Sequence, residues 1–220
     1  MENTLKRPDL IIWDWDGTLV DSLPLIFMAH NHVREMMSLP LWTREEFQVI
    51  AHNSTRDAYR AEYGARADEA IVTLYEYIQE HHLNQFRFID GAKDVVKACK
   101  ALNVPMIIVS NKRHHFLVKE VSFSGLEKNF ISIVGAGEAA HDKPHADHVR
   151  LALNQADIDI NSISTAWFIG DSQADIDCAK AAPIMCQSIL IGSANAQGYD
   201  VRYRDLDMFM RAVQCHCDVL

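Results

Sequence analysis

Residues 10–19 read LIIWDWDGTL, and this stretch decides the fold. Its first part, 10–13, is a continuous apolar run with β-branched and aromatic side chains, which is typical of a strand buried on both faces. The run stops at Asp14, and Asp16 and Gly17 follow. A glycine lets the backbone turn sharply and approach a ligand closely. The stretch therefore predicts a buried strand with two carboxylates at its end.

Apolar runs of the same kind recur along the chain and alternate with helical patterns. Each run is followed by a polar or glycine-bearing turn, and such alternation predicts a parallel sheet built from right-handed crossovers. We therefore expect an α/β fold with a Rossmann-like parallel β-sheet core flanked by helices. Ligands bind beyond the carboxyl ends of such strands, which selects Asp14, Ser110, Gly135 and Asp171. The predicted strands after the first are 104–109, 130–134, 166–169 and 188–191; the predicted helices are 92–102, 114–123, 145–155 and 173–182.

Residues 21–88 break this alternation. They contain only helical patterns, near 23–37, 43–51, 55–63 and 68–86, with apolar residues such as Ile71, Leu74 and Ile78 at helical spacing. We interpret this segment as an inserted helical module. The expected domains are a core formed by 1–20 and 89–220 and the module 21–88.

Composition narrows the class of protein. With 220 residues, one or two domains are expected, and a formal charge of −9 without basic runs disfavours nucleic-acid and membrane partners. Five irregularly spaced cysteines favour free thiols in the cytoplasm. The first ten residues lack a signal-peptide pattern, and no window has the 18 apolar residues of a membrane span. The segment 215–217, Cys-His-Cys, is disfavoured as a metal site, because neighbouring ligands point to opposite sides of an extended chain and no second pair completes a four-fold site; it is interpreted as a flexible tail.

Asp14 and Asp16 suggest a cation site. Two carboxylates so close together are electrostatically costly unless a cation neutralises them, and Mg²⁺ favours carboxylate oxygens. An EF-hand is excluded because Thr18 and Leu19 occupy positions that such a loop gives to other residue types. The alternative is a solvated turn that carries two acids.

Two further strand ends carry polar groups. Asp171 and Asp175 lie four residues apart, so both can reach one metal ion; the alternative is helix capping with an acid in the first turn. Ser110 and Asn111 are expected where a helix begins, and a hydroxyl with backbone N–H groups there makes an anion site. Their alternative role is N-capping.

Lys143 follows the predicted strand 130–134 and precedes a proline at a predicted helix start. A cation there would balance a phosphoryl group, although most lysines are solvated. A histidine metal site from His141, His145 and His148 is disfavoured because the proline interrupts their spacing. The glycine-rich 135–140 is a weak dinucleotide fingerprint, because a helix opening there would soon meet the proline, and no nucleotide cofactor is expected.

Taken together, four motifs resemble the haloacid dehalogenase superfamily, most closely its phosphoglycolate phosphatase-like branch. The resemblance implies a Rossmann-like core with an inserted α-helical, C1-type cap. It covers the chain from residue 10 to about 190. The motifs are DWDGTL with Asp21-Ser22, then IIVSNK at 107–112, KPHAD at 143–147 and GDS at 170–172 with Ala174-Asp175.

The resemblance also implies roles for these residues. Asp14 would be the nucleophile and Asp16 the general acid and base. Mg²⁺ would be held by the carboxylates of Asp14 and Asp171 and the backbone carbonyl of Asp16, with support from Asp175. Binding of the phosphoryl oxygens would fall to Ser110, Asn111 and Lys143.

The expected activity is therefore a magnesium-dependent phosphatase that hydrolyses a small phosphorylated metabolite through an aspartyl-phosphate intermediate. Asp16 disfavours dehalogenation, since dehalogenases of this superfamily lack that acid. Alternatives are a phosphomutase on the same core and a phospho-accepting interaction protein without turnover. The chain is expected to act as a monomer or homodimer.

Substrate contacts are expected from Gly17 and Thr18 and from the inserted module. The polar cluster 52–56 ends in Arg56, which is suited to a carboxylate or a second phosphate. The alternative is a helix cap by Ser54 with a solvated Arg56. Asp90 and Pro183 stand where the branch usually has other residues, which weakens an assignment to phosphoglycolate itself.

Overall fold

The computed structural model describes residues 5–50, 55–192 and 195–217. The chain divides into two compact units, Ser22–Phe86 and the remainder, formed by Met1–Asp21 with Arg87–Leu220. Each unit is described by itself. Within the described ranges, no helix combines the length and apolar character needed to cross a membrane.

Strands and helices alternate in the larger unit, whereas the smaller unit is helical. The strands are β1 (Leu10–Trp13), β2 (Met106–Arg113), β3 (Ser132–Ala136), β4 (Ala166–Gly170), β5 (Cys186–Ile191) and β6 (Val201–Tyr203). The α-helices are α1 (Leu23–Met36), α2 (Arg44–Ile50), α3 (Thr55–Tyr63), α4 (Ala67–His81), α5 (Ala92–Ala101), α6 (His114–Ser124), α7 (Asp147–Gln155), α8 (Gln173–Ala181) and α9 (Leu206–Cys217).

The larger unit is built on one six-stranded parallel sheet in the order β3-β2-β1-β4-β5-β6. The central strand β1 pairs with β2 on one side and β4 on the other, so that Trp13 lies opposite Ile108 and Ile169. The carboxyl ends of these three strands are therefore adjacent. This confirms the expected α/β Rossmann-like fold.

Both faces of the sheet are buried. On one face, Leu10 and Ile12 pack in an apolar cluster with residues of α7 and α8, such as Val149 and Cys178. Trp13 and Trp167 instead meet Phe209 of α9 in edge-to-face contacts, with ring centroids 6.1 and 5.8 Å apart. Burial on both sides explains why the strand sequences are continuously apolar rather than alternating.

Several predicted boundaries were wrong. β2 runs on to Arg113 because its irregular end still pairs with β3 at Ala136, so no helix begins at Ser110 or Asn111. Helix α7 begins at Asp147, after the proline, and α4 ends at His81 rather than near residue 86.

The last strand and the last helix, β6 and α9, were not predicted. Three residues of α9, Leu206, Phe209 and Val213, are fully buried and lie on one helical face. This apolar stripe extends the helix to Cys217. Residues 215–217 therefore end a helix, and their interpretation as a flexible tail was wrong.

The smaller unit packs aromatic side chains around His30 of α1. The His30 ring lies 5.4 Å from both the Phe47 and Tyr59 rings and 5.8 Å from Trp42, measured between centroids. Arg34 stacks over Trp42 at 4.3 Å and forms an ion pair with Glu62. These contacts give the unit an apolar interior with few charges.

Candidate active site

Asp14 lies directly after β1 and is only 4% exposed. One of its oxygens, Oδ1, accepts a hydrogen bond of 2.6 Å from Lys143 Nζ. The same ammonium group donates to Asp175 Oδ1 at 2.7 Å. The two buried carboxylates are thus joined through one buried cation, an arrangement that has strong charge-assisted hydrogen bonds.

The turn after β1 lies against Asp171, which follows β4. Gly17 has a φ of +78°, and a Cβ atom at this position would lie 2.3 Å from Asp171 Oδ2. Any side chain here would collide with that carboxylate. Thr18, which is fully buried, places its hydroxyl 3.4 Å from both Asp14 Oδ2 and Asp171 Oδ1. A residue without a side chain at position 17 is therefore a condition for this approach.

Asp175 has two partners on its two oxygens. Oδ2 accepts from the backbone N–H and the hydroxyl of Ser172, at 3.0 and 2.6 Å, at the start of α8. Oδ1 accepts from Lys143. The capping role considered from the sequence is therefore present, and the same side chain also contacts the buried lysine.

Asp14, Asp171 and Asp175 form an acidic cluster whose ligand oxygens lie within 4.8 Å of one another. Burial raises the pKa of Asp14 to about 7; Lys143 opposes this effect and the Asp175 carboxylate adds to it. Burial, together with the Asp14 and Asp175 carboxylates, raises the pKa of Asp171 to about 8. Burial is thus the main cause of both shifts, and the three carboxylates lie around the one ammonium group of Lys143. Three close oxygen ligands with unbalanced charge fit a divalent cation such as Mg²⁺.

Lys143 is held in its charged form. Burial disfavours the ammonium, but the adjacent Asp14 and Asp175 carboxylates prevail and raise its pKa. Its backbone is fixed by Asn111, whose Oδ1 accepts from Lys143 N at 2.9 Å and whose Nδ2 donates to Lys143 O at 3.0 Å. Asn111 thus connects β2 to the segment that carries the lysine.

Ser110 and Asn111 were expected at a helix N-terminus, and this expectation was wrong because β2 continues through them. Ser110 is almost fully buried, and its Oγ accepts from Lys112 N at 3.2 Å. Helix α6 begins only at His114, so these two residues lie outside its first turn. Their proposed contacts with phosphoryl oxygens must therefore come from side chains or from strand-end N–H groups.

Sequence reasoning missed Lys112 as a site residue. Its Nζ donates to Asp16 Oδ1 at 2.7 Å and lies 3.1 Å from Glu120 Oε2 of α6. Burial disfavours the Lys112 ammonium, but the Asp16 and Glu120 carboxylates raise its pKa overall. The available signal was its place at the same strand end as Ser110, but the pairing with Glu120 depends on the extended β2.

The remaining candidate residues are the histidines of a possible metal site and the polar cluster 52–56. His141 Nδ1 lies 2.8 Å from Asp147 Oδ2, and no group of three potential ligands that includes a histidine is gathered within the described part of the chain. Residues 52–54 of the predicted substrate-facing cluster lie outside the described residues. Arg56 is in α3, but its side chain is likewise outside the description.

Comparison with known proteins gives the same family as the sequence motifs. A model of the family described as haloacid dehalogenase-like hydrolase matches residues 11–189. Among curated proteins, the chain is 26% identical over 180 residues to the pyrophosphatase PpaX of Listeria monocytogenes serotype 4b, covering 81% of this chain and 82% of the relative. It is 27% identical over 197 residues to a phosphoglycolate phosphatase of Chromobacterium violaceum, covering 86% of each.

A solved structure shares the fold. It is a subfamily IA hydrolase of the same superfamily from Geobacter sulfurreducens, with a TM-score of 0.72 and 18% identity. The alignment covers 96% of this chain and 98% of that one. Both units of the present chain therefore have counterparts in that structure.

Proposed function

Because this chain belongs to the haloacid dehalogenase-like hydrolase family, we propose that it is a magnesium-dependent phosphatase acting on a small phosphorylated metabolite. The observation that carries the proposal is the buried bridge from Lys143 to Asp14 and Asp175, with Asp171 beside it. The proposed nucleophile, a buried ammonium group and the proposed oxygen ligands of the metal are thus close together at one sheet edge. Catalysis of phosphoryl transfer rests mainly on such positioning and charge compensation.

In the proposed first step, a carboxylate oxygen of Asp14 attacks phosphorus and the bond from phosphorus to the leaving-group oxygen breaks. Asp16, which is partly exposed in the turn after β1, donates a proton to that oxygen. The product alcohol leaves, and the phosphoryl group is held as an aspartyl-phosphate on Asp14. Lys143 offsets the charge on the phosphoryl oxygens.

In the second step, the Asp16 carboxylate accepts a proton from water, and that water attacks phosphorus. The bond between phosphorus and the Asp14 oxygen breaks, so inorganic phosphate is released and Asp14 returns to its starting state. Asp16 ends protonated, ready for the next substrate. The same residue therefore serves as acid and as base.

The residues that would hold the metal are Asp14, Asp171 and the backbone carbonyl of Asp16, with support from Asp175. When bound, Mg²⁺ would neutralise charge on the phosphoryl group and orient it. Burial is the main cause of the raised pKa values of Asp14 and Asp171, and repulsion from neighbouring carboxylates adds to it; a bound cation would oppose both effects, which supports this assignment.

Two substrate types follow from the named relatives. One relative is a pyrophosphatase and another a phosphoglycolate phosphatase. We propose that the substrate is a small anion with one transferable phosphoryl group, and that the helical unit Ser22–Phe86 supplies discrimination between such anions. A panel of phosphorylated metabolites should therefore include both pyrophosphate and phosphoglycolate.

The central test is Asp14→Asn, which keeps the size of the side chain and removes the nucleophilic carboxylate. Phosphate release from p-nitrophenyl phosphate should require Mg²⁺ in the wild type and fall to background in the variant. Retained magnesium-dependent turnover by the variant would refute the proposal. Isomerisation of a sugar phosphate without phosphate release would instead identify a mutase, and a single turnover would identify a phospho-accepting protein.

A further inference from the structure

Lys112 connects two carboxylates with very different surroundings. Its ammonium donates to Asp16 and also contacts Glu120, at 2.7 and 3.1 Å. The Asp16 side chain is 31% exposed, whereas that of Glu120 is 2% exposed. Lys112 therefore extends from a buried anchor to a carboxylate that solvent can reach.

The anchor itself is fixed from a second direction. Trp15 Nε1 donates to Glu120 Oε2 at 2.9 Å, and the Trp15 side chain is fully buried. Because Trp15 directly precedes Asp16, these contacts close a ring through the indole, Glu120, Lys112, the Asp16 carboxylate and the backbone. A closed ring of this kind restricts the direction of its most exposed member, Asp16.

The two buried lysines of the site have parallel arrangements. Lys143 joins Asp14 to Asp175, and Lys112 joins Asp16 to Glu120. In each pair one carboxylate, Asp14 or Asp16, is proposed to act in the bond-making and proton-transfer steps. The other carboxylate fixes the lysine, through the start of α8 for Asp175 and through the interior of α6 for Glu120.

Building on the proposed phosphatase activity, we propose that Lys112, anchored by Glu120, is a positioning residue that orients the Asp16 carboxyl group towards the leaving-group oxygen. In the first step such a residue matters most when the leaving group needs a proton, and kcat/KM reports this step because it covers the reaction only up to loss of the leaving group. The second step, in which Asp16 acts as base, is the same for both substrates and enters kcat. An alkyl phosphate would otherwise expel a poor alkoxide leaving group, whereas p-nitrophenyl phosphate expels a stabilised phenolate. The structure thus assigns Lys112 an effect that depends on the leaving group.

The test compares Lys112→Met with Lys112→Arg on an alkyl phosphate and on p-nitrophenyl phosphate. Lys112→Met should lower kcat/KM about 100-fold for the alkyl phosphate and less than about threefold for the aryl phosphate, because general acid catalysis contributes about 10²–10⁴-fold. Lys112→Arg keeps a donor for Asp16 and should recover much of the alkyl activity. Equal losses on both substrates, or no loss, would overturn the proposal.

A second set of variants serves as a control for any effect of Lys112→Met on folding. Lys112→Met leaves Glu120 buried without its cation, so the double variant Lys112→Met with Glu120→Gln removes the charge and keeps an acceptor for Trp15. The double variant should have a melting temperature closer to that of the wild type than Lys112→Met has. It should keep the same selective loss of kcat/KM on the alkyl phosphate. Return of alkyl activity in the double variant would contradict the proposal. Lys119→Met, an exposed neighbour in α6, should change neither rate.

These measurements separate the two proposals. A wild type that releases phosphate from neither compound refutes the phosphatase. A wild type active on both compounds, with variants that lose both activities equally, refutes only the role of Lys112.

Discussion

The sheet edge and the interior of the helical unit bury polar groups in opposite ways. At the sheet edge, Asp14 and Lys143 are buried in a charged network. In the helical unit, the Tyr59 hydroxyl lies 3.0 Å from His30 Nδ1, burial lowers the pKa of His30 to about 4, and burial raises the pKa of Tyr59. Both members of that second pair are therefore neutral at pH 7. Arg34 does carry charge in this unit, but its partner Glu62 is 29% exposed.

This difference shows what each region is built to do. Burying a polar group in its neutral form costs less free energy than burying an ion, because no ion must lose its hydration. The sheet edge instead keeps carboxylates buried in excess of its cation, which is costly unless a further cation or a phosphoryl reaction uses them. Charge that exceeds the needs of packing therefore marks the functional region, and each of the following changes tests that distinction.

The largest effect is expected for Lys143→Met. It leaves Asp14 and Asp175 without their shared cation, which should destabilise the fold by about 3–5 kcal/mol. Phosphate release should fall by about 10²–10³-fold or more, because charge stabilisation of the phosphoryl group is lost. Urea unfolding and steady-state phosphate release measure the two effects. Unchanged stability would contradict the view that this charge network is integral to the sheet edge.

The free energy of unfolding, measured as a function of pH, should reveal the contribution of His30 in the neutral pair with Tyr59. His30 has a folded pKa of about 4, below its ordinary value of 6.5, so the unfolded chain takes up this proton first as pH falls. Its contribution is fully present above about pH 6.5 and is lost towards pH 4, amounting to at most about 3 kcal/mol. His30→Gln should flatten that part of the curve for urea unfolding.

The matched control for this titration is His141→Gln, since the His141 side chain is 62% exposed. Comparison of the two variants over the same pH range separates the burial of His30 from the mere removal of an imidazole. An equal flattening in both variants would mean that burial of His30 is not the cause.

Added Mg²⁺ should act on the sheet edge alone. A ligand that binds only the folded state stabilises it by about 2.7 kcal/mol at 100 times its dissociation constant. Thermal melting should show this increase in the wild type and a much smaller one in Asp171→Asn. Tyr59→Phe is the control and should respond to Mg²⁺ as the wild type does. A full response in Asp171→Asn would place the metal elsewhere.

The smallest effect is expected for Tyr59→Phe itself. This change removes one hydroxyl beside His30 and should cost about 1 kcal/mol of stability in urea unfolding, the usual net value of a hydrogen bond. Phosphate release per folded molecule should stay at the wild-type rate. A loss of several kcal/mol would show that the neutral pair carries more than a single hydrogen bond.

The sequence predicted the parallel sheet because strands buried on both faces are continuously apolar, as in 10–13 and 166–169. The same logic placed Asp14 and Asp171 at adjacent strand ends. It failed at Lys112, because β2 continues past its apolar part through pairing with β3 and no local pattern announces that extension. The sequence-based prediction also missed α9. Its apolar stripe can be interpreted only when Trp13 and Trp167 are known to require a helix that buries their face of the sheet.

Asp175 accepts hydrogen bonds on both of its carboxylate oxygens, and these bonds link catalysis to the stability of the first turn of α8. One oxygen closes the first turn of α8 and the other contacts Lys143, so fraying of that turn and misplacement of the lysine are one event. A molecule in which the start of α8 has opened, even while its sheet remains intact, is then inactive. Amide hydrogen exchange at the start of α8 should therefore slow whenever phosphate or another phosphoryl mimic occupies the site.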